Sequence, residues 1–393
     1  MVKSTTIQDR LVHLRRELHR TPELGFEEKV TRDILINALE AEGFEVKGPV
    51  ARTGFYVDIT GAYPGPKVAY RADIDALPIV DEKQVDYASR NKGKGHMCGH
   101  DVHSTIALGV AHILNEFRDK LHGSVRIFWQ PAEETNPSGA PEIVKSGILD
   151  DVDAVYGIHC DPNLKCGTVC ILSGMVTASF DKFDITVKAP DSIHSARPHQ
   201  GSDTMWVTNK ILSELYSLPG RLTNTLHPSV ISVSKIHGGE VHNVIPQQIS
   251  LGGTIRCSRH EDRKIIHDHI RKVLKTFSGL YDVSAEIQIG EGAPPVRNDD
   301  NLADAAKTVV QSHKEFTLAE CSPSMGGEDF AHYSLEKPTL FMRVGTSSGP
   351  ETSHPVHTSL FDIDETILEP ASQLLKDILT HHLEHNTRTD ART

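Results

Sequence analysis

Between residues 180 and 293 the chain changes its rhythm. "FDKFDITVKA" alternates apolar and polar side chains as a half-exposed strand does, and a helical pattern follows from about Ser202 to Tyr216. "SVISVSKIHGG" and "QISLGGTIR" read as two further strands, followed by a helix over residues 261–278 and the strand "SAEIQIGEG". The order β-α-β-β-α-β predicts a ferredoxin-like split unit with a sheet of its own. "GEGAPPVRND", with its Gly and Pro, reads as the linker that returns from it.

On either side of this block strands and helices alternate. Ile7, Leu11, Leu14 and Leu18 share one helical face, and a second helix pattern runs from about Glu27 to Glu42. Next come "GFYVDI", "KVAYRAD", a helix from about Asp101 to Phe117, "SVRIFWQ" and "AVYGIH". Beyond the insert lie a helix near Leu302 to His313, the strand "PTLFMRVG" and a helix from about Glu365 to His385. The alternation predicts an α/β fold whose sheet is covered by helices on both faces. The chain of 393 residues therefore divides into a discontinuous domain, 1–179 and 294–393, and an inserted α+β ferredoxin-like domain, 180–293. The terminal "HHLEH" reads as a frayed helix end.

Charge narrows the function. With 41 Lys plus Arg against 53 Asp plus Glu, the chain lacks the clustered cations of a nucleic-acid binder. No apolar run approaches the roughly 20 residues of a membrane span, and "MVKSTTIQDRLVHLRREL" lacks the apolar centre of a secretory signal, so a cytoplasmic protein is expected. Six cysteines are sparse for a disulfide framework; apart from Cys98 they read as reduced thiols.

Ligands of open α/β sheets gather beyond the carboxyl ends of the strands. There the chain places Asp73 and Asp75 in "RADIDALP", Glu133 and Glu134 in "QPAEE", His159 after "AVYGI", and His354 and His357 after "PTLFMRVG". "GHMCGHDVHS" adds Cys98 and His100 just before a helix. A thiolate, imidazoles and carboxylates together suit zinc, manganese, cobalt or nickel. Two such ions activate a shared water, and a carboxylate beside it that binds no metal is a natural general base.

As a set, "RADIDALP", "GHMCGHDVH", "QPAEE", "GIH", "HSARPHQGSD", "NVIP", "GTIR" and "GGEDF" resemble the di-metal amidohydrolases and metallopeptidases of aminoacylase and glutamate carboxypeptidase type. Within that group the hippurate hydrolase and indole-acetyl-amino acid amidohydrolase branch is most similar. The resemblance implies one or two divalent metals held by Cys98, His100, Glu134, His159 and His357, with Cys98 as a bridging or near-bridging thiolate. It implies Glu133 as general base and Asp75 as the carboxylate that orients a ligand. For the last ligand, spacing to Phe361 favours His357 over His354. Asp101 and His103 read as helix caps. The insert is similar to the family's lid, which also carries a homodimer or homotetramer interface. There His194 matches an oxyanion-stabilising histidine, and Asn243 and Arg256 match groups that hold a substrate carboxylate.

The implied activity is metal-dependent hydrolysis of the amide of an N-acyl amino acid, with a carboxypeptidase or dipeptidase on short peptides as the alternative. A cysteine hydrolase using Cys98 would leave Glu134, His159 and His357 without purpose, and a non-catalytic binding protein would need a lost base, whereas "PAEE" is intact. Cys160, beside His159, is a second thiol open to oxidation.

Overall fold

The structure, a computed structural model, describes residues 6–390, with side chains to residue 385. It forms two units: the chain up to Val176 with Arg297–Ser322 and the residues from Asp329 onward, and Thr177–Val296 with Pro323–Glu328. Apart from four two-residue strands, the strands among the described residues are β1 (Lys47–Val50), β2 (Gly54–Thr60), β3 (Tyr63–Asp73), β4 (His122–Gln130), β5 (Ala154–Lys165), β6 (Thr168–Cys170), β7 (Asp181–Lys188), β8 (Ser229–His237), β9 (Gln248–Cys257), β10 (Ser284–Glu291), β11 (Thr317–Leu318) and β12 (Thr339–Ser347). The principal helices are α1 (Ile7–Arg20), α2 (Lys29–Ala41), α3 (His100–Glu116), α4 (Thr204–Ser217), α5 (His260–Tyr281), α6 (Asp300–Ser312) and α7 (Leu368–Asp390).

The first unit is an α/β layer around a sheet of order β1-β2-β4-β3-β5-β12-β6-β11. Its centre is parallel: β3 pairs with β4 and with β5, and β5 pairs with β12. Central parallel strands are buried on both faces and so carry continuous apolar runs. In β4 Val125, Ile127, Phe128 and Trp129 are all fully buried. Helix α1 buries the leucine face read from its sequence, and α3 is buried along most of its length. Among the described residues, no helix is long and apolar enough to cross a membrane.

Tertiary contacts overturn three local readings. Asp101 does not cap α3; the N-cap is Gly99, in the left-handed region at φ 86° and without a side-chain bond. Asp101 is instead buried against Arg15, whose Nε donates to it over 2.8 Å, and against His19 at 2.7 Å. Arg15, itself fully buried, also donates to Asp362 over 2.8 Å, so α1 is pinned to α3 and to the loop before α7 by paired charge. The terminal helix is not frayed at "HHLEH": His382 meets the Tyr156 hydroxyl at 2.8 Å and Leu383 is fully buried. Finally, Cys170 and Cys321 form a disulfide, with Cα atoms 6.0 Å apart. Parallel pairing of β11 with β6, Leu318 opposite Val169, brings together cysteines that stand 151 residues apart.

The second unit has an antiparallel sheet of order β8-β9-β7-β10 with α4 and α5. One face of β7 is buried (Phe183, Ile185, Val187) against Ile211, Leu215, Ile270 and Leu274 of the helices. Asp181 lies buried below this core and accepts from Arg263 Nε over 2.8 Å, with His267 Nε2 at 2.9 Å. Pro323–Glu328, which the sequence reading gave to the other domain, groups here, because Ser324 O accepts from Ala178 N over 3.0 Å and Met325 O from Arg256 over 2.5 Å.

Removing one partner of a buried ion pair strands the other charge and costs about 3–5 kcal/mol. Asp101→Ala is accordingly expected to lower the urea unfolding free energy by that order, measured on metal-free protein. In denaturant without reductant, thiol titration is expected to find only Cys98, Cys160, Cys166 and Cys257; reduction then exposes Cys170 and Cys321 as well.

Candidate metal centre

The site is assembled from the carboxyl ends of β3 and β4, the body of β5, the start of α3 and the loop after β12. The sequence reading placed His159 just after its strand. The structure places it inside β5, because parallel pairing with β12 continues from Val155 to Asp161. Around Cys98 Sγ stand His159 Nε2 at 3.3 Å and His357 Nε2 at 3.2 Å. His357 Nε2 is also 3.1 Å from Glu134 Oε1. Potential ligand atoms fall into sets whose members all lie within 4.8 Å of one another: Cys98 with His100 and His159, Cys98 with Glu134 and His357, and His100 with Glu133 and Glu134. Two of these sets share Cys98.

Asp75 ties the two sides together. Its Oδ1 lies 3.1 Å from His100 Nδ1, and its Oδ2 accepts from the Glu134 amide over 3.0 Å. One carboxylate thus turns the imidazole and anchors the loop that carries both glutamates. His159 Nδ1 is 2.7 Å from the Cys160 carbonyl, so its Nε2 lone pair faces Cys98. In His100 and His159 the outer nitrogen is occupied and the inner one faces the cluster, the arrangement of metal-binding imidazoles.

Electrostatics make the same point. Burial opposes charge on His100, but Asp73, Asp75 and Glu134 outweigh it and push the imidazole up to about 10. Burial, with Glu134 and Glu133 nearby, pushes the Cys98 thiol up, the reverse of what an unaided thiolate nucleophile needs. His100 Nε2 is buried without a hydrogen-bond partner. An orphaned imidazole nitrogen among carboxylates and a thiol is what a divalent cation would complete.

Sequence reasoning missed the roles of Asp73 and His103. His103 is not a cap: it is buried, with Nδ1 2.7 Å from Asp73 Oδ1 and Nε2 accepting from the Cys160 amide over 2.9 Å. Burial holds it down to about 4 although Asp73 pulls the other way. The only signal in the sequence was its place three residues after His100, on the same helical face.

His194, Asn243 and Arg256 belong to the second unit. The exposed His194 pairs with Val244 in a short two-stranded ladder, and Asn243 O accepts from Ser195 N over 3.0 Å. Arg256, in β9, stands over the Phe180 ring at 4.5 Å and makes the Met325 bond rather than a strand-end ion pair.

Comparison with known proteins agrees with this chemistry. Residues 69–381 match the model of peptidase family M20/M25/M40. The chain is 34% identical to an N-acetyl-L-cysteine deacetylase of Bacillus subtilis, covering 98% of this chain and 91% of that protein. It is 32% identical to thermostable carboxypeptidase 2 of Saccharolobus solfataricus, covering 92% and 93%. Among solved structures, the Bacillus subtilis YXEP protein, described as a dinuclear metal binding peptidase, superposes with a TM-score of 0.84 at 34% identity, covering 96% and 99%.

Gly99 is critical to this geometry. A Cβ there would lie 2.2 Å from Cys160 Sγ, at a φ of 86° that L side chains rarely adopt. Gly99→Ala is expected to destabilise the fold by at least about 1–2 kcal/mol and to reduce bound metal, read by thermal unfolding and elemental analysis.

Proposed function

Because the chain belongs to peptidase family M20/M25/M40 and is a metal-dependent hydrolase of that family, we propose that it hydrolyses the amide joining an acyl group to an amino acid with a free carboxylate. The observation that carries this reading is the pair of ligand sets sharing Cys98, with Glu133 grouped beside His100 and Glu134 but absent from both. Cys98, His100, Glu134, His159 and His357 are the proposed ligands. Divalent metal held there supplies Lewis acidity toward the scissile carbonyl and makes water acidic enough to deprotonate near neutral pH.

Glu133 takes the proton of the attacking water and then delivers it to the leaving amine. Asp75 keeps His100 and the glutamate loop in register during that exchange. On the motif resemblance, His194 steadies the oxyanion, and Asn243 with Arg256 binds the substrate carboxylate. The same machinery serves a carboxypeptidase, and the carboxypeptidase relative keeps that reading as the second one. A homo-oligomer formed through the second unit is supported by the apolar side chains it exposes, among them Trp206, Tyr216 and Ile236.

Chelator-treated protein, assayed on N-acetyl and N-benzoyl amino acids and on dipeptides, is expected to release amino acid only after manganese, cobalt or zinc is added. Preference for acyl amino acids supports the amidohydrolase, preference for dipeptides the carboxypeptidase, and undiminished activity without metal refutes both. Glu133→Gln is expected to lower kcat by about 10²–10⁴-fold while elemental analysis finds unchanged metal content; near-normal turnover would exclude it as the base.

A further inference from the structure

His103 lies one turn into α3 beyond His100, and its ring is inaccessible to solvent. Its ligand atoms group closely with those of Asp73 and His100, and with those of His159 and Cys160, so proximity alone would admit it as a metal ligand. Hydrogen bonding removes that option. The backbone amide of Cys160 can only donate, and it points at His103 Nε2 over 2.9 Å. Nε2 must therefore carry the lone pair, which leaves the hydrogen on Nδ1, 2.7 Å from Asp73 Oδ1. Neither nitrogen keeps a lone pair for a metal.

Asp73 is itself fixed from behind. Its Oδ2 accepts from Arg71 over 2.6 Å, and its carbonyl accepts from Ser104 Oγ over 2.7 Å. Arg71 is held in turn by Gln130 Oε1 and Asp329 Oδ1, each at 2.8 Å. The far end of this chain of bonds is a gap in the sheet. Pairing of β3 with β5 stops at Gly157, and among the described residues no other strand pairs with that edge of β5 beyond it. At Cys160 two imidazoles fill that gap: His103 accepts from the amide, and His159 Nδ1 meets the carbonyl at 2.7 Å. The two rings meet edge to face, with centroids 4.9 Å apart.

We infer that His103, held in one tautomer by Asp73, is a positioning residue: it fixes the Cys160 backbone against which His159 is oriented toward Cys98, and does not bind metal itself. The inference rests on the reading of Cys98 and His159 as ligands. Asp73→Asn is its sharpest probe. Arg71 needs an acceptor, so the carboxamide turns its NH₂ toward His103 Nδ1, and the imidazole hydrogen moves to Nε2. There it confronts the Cys160 amide, donor against donor, with no atom lost from the core.

Three variants, Asp73→Asn, His103→Phe and His103→Gln, are loaded with cobalt and followed by the thiolate-to-cobalt absorption and by competition with a chelator. Asp73→Asn and His103→Phe are expected to weaken metal binding about 10–100-fold with a shifted spectrum, whereas His103→Gln, whose amide oxygen can still accept from Cys160, stays close to the parent. Thermal unfolding of metal-free protein identifies any variant that fails to fold. Unchanged affinity and spectrum in Asp73→Asn and His103→Phe overturn the inference, as does loss of a whole ligand band in His103→Gln. Nitrogen NMR of ¹⁵N-histidine in metal-free parent reads the tautomer directly. An Nδ1–H His103 supports the clamp and an Nε2–H form refutes it. A parent that binds no cobalt refutes the ligand reading instead, and the tautomer then decides the clamp by itself.

Discussion

Acids crowd the buried end of the central sheet, and the rest of the first unit is arranged around keeping them there. Burying an ionised carboxylate without a partner costs far more than a domain's net stability can absorb. Two buried arginines answer part of that demand. Arg71 holds Asp73 and Asp329, and Arg15 holds Asp101 and Asp362. Glu134 is placed differently, turned toward His357 and grouped with Cys98 and His100. The sheet therefore sorts its acids into those neutralised by guanidinium and those gathered beside imidazole and thiol. A cation at the second group would bring its negative charge closer to balance.

Much of this was legible in the sequence. Period-two and period-3.6 patterns are strong in a sheet buried on both faces, so β3, β4, β12 and α3 could be placed to within a few residues. The side chains at strand ends followed, since the carboxyl edge of a parallel sheet points its loops at one cleft. The strand ends offered Asp73, Asp75, Glu133, Glu134, His159, His354 and His357, and the helix start Cys98 and His100. The motif resemblance singled out Cys98, His100, Glu133, Glu134, His159 and His357 among them, and the structure brings these six together. Roles that depend on what lies behind the edge were not legible. Asp101 and His103 stand at a helix start, where polar residues ordinarily cap, and only burial against Arg15, Asp73 and the Cys160 amide reveals otherwise. The Cys170–Cys321 bond was hidden by sequence distance, and the anchoring of His382 by a polar composition that masks a packed face.

Strand ends alone do not make the side chains converge. Three left-handed residues stand beside the proposed catalytic and ligand positions. Gly99, at φ 86°, separates Cys98 from His100; Ala132, at φ 55°, precedes Glu133; and His357 itself sits at φ 64°. For Ala and His this region is unfavourable, and residues held there persist only where neighbours over-determine them. Both have such neighbours. The Ala132 amide donates to the buried Glu28 over 2.9 Å, and the His357 amide donates to the Met97 carbonyl over 2.6 Å, one residue before Cys98. Each of these residues redirects the backbone locally, and loops leaving different strands deliver their side chains to one place. The packed sheet makes that strain affordable, and the strain brings glutamate, thiol and imidazole within reach of the same small volume.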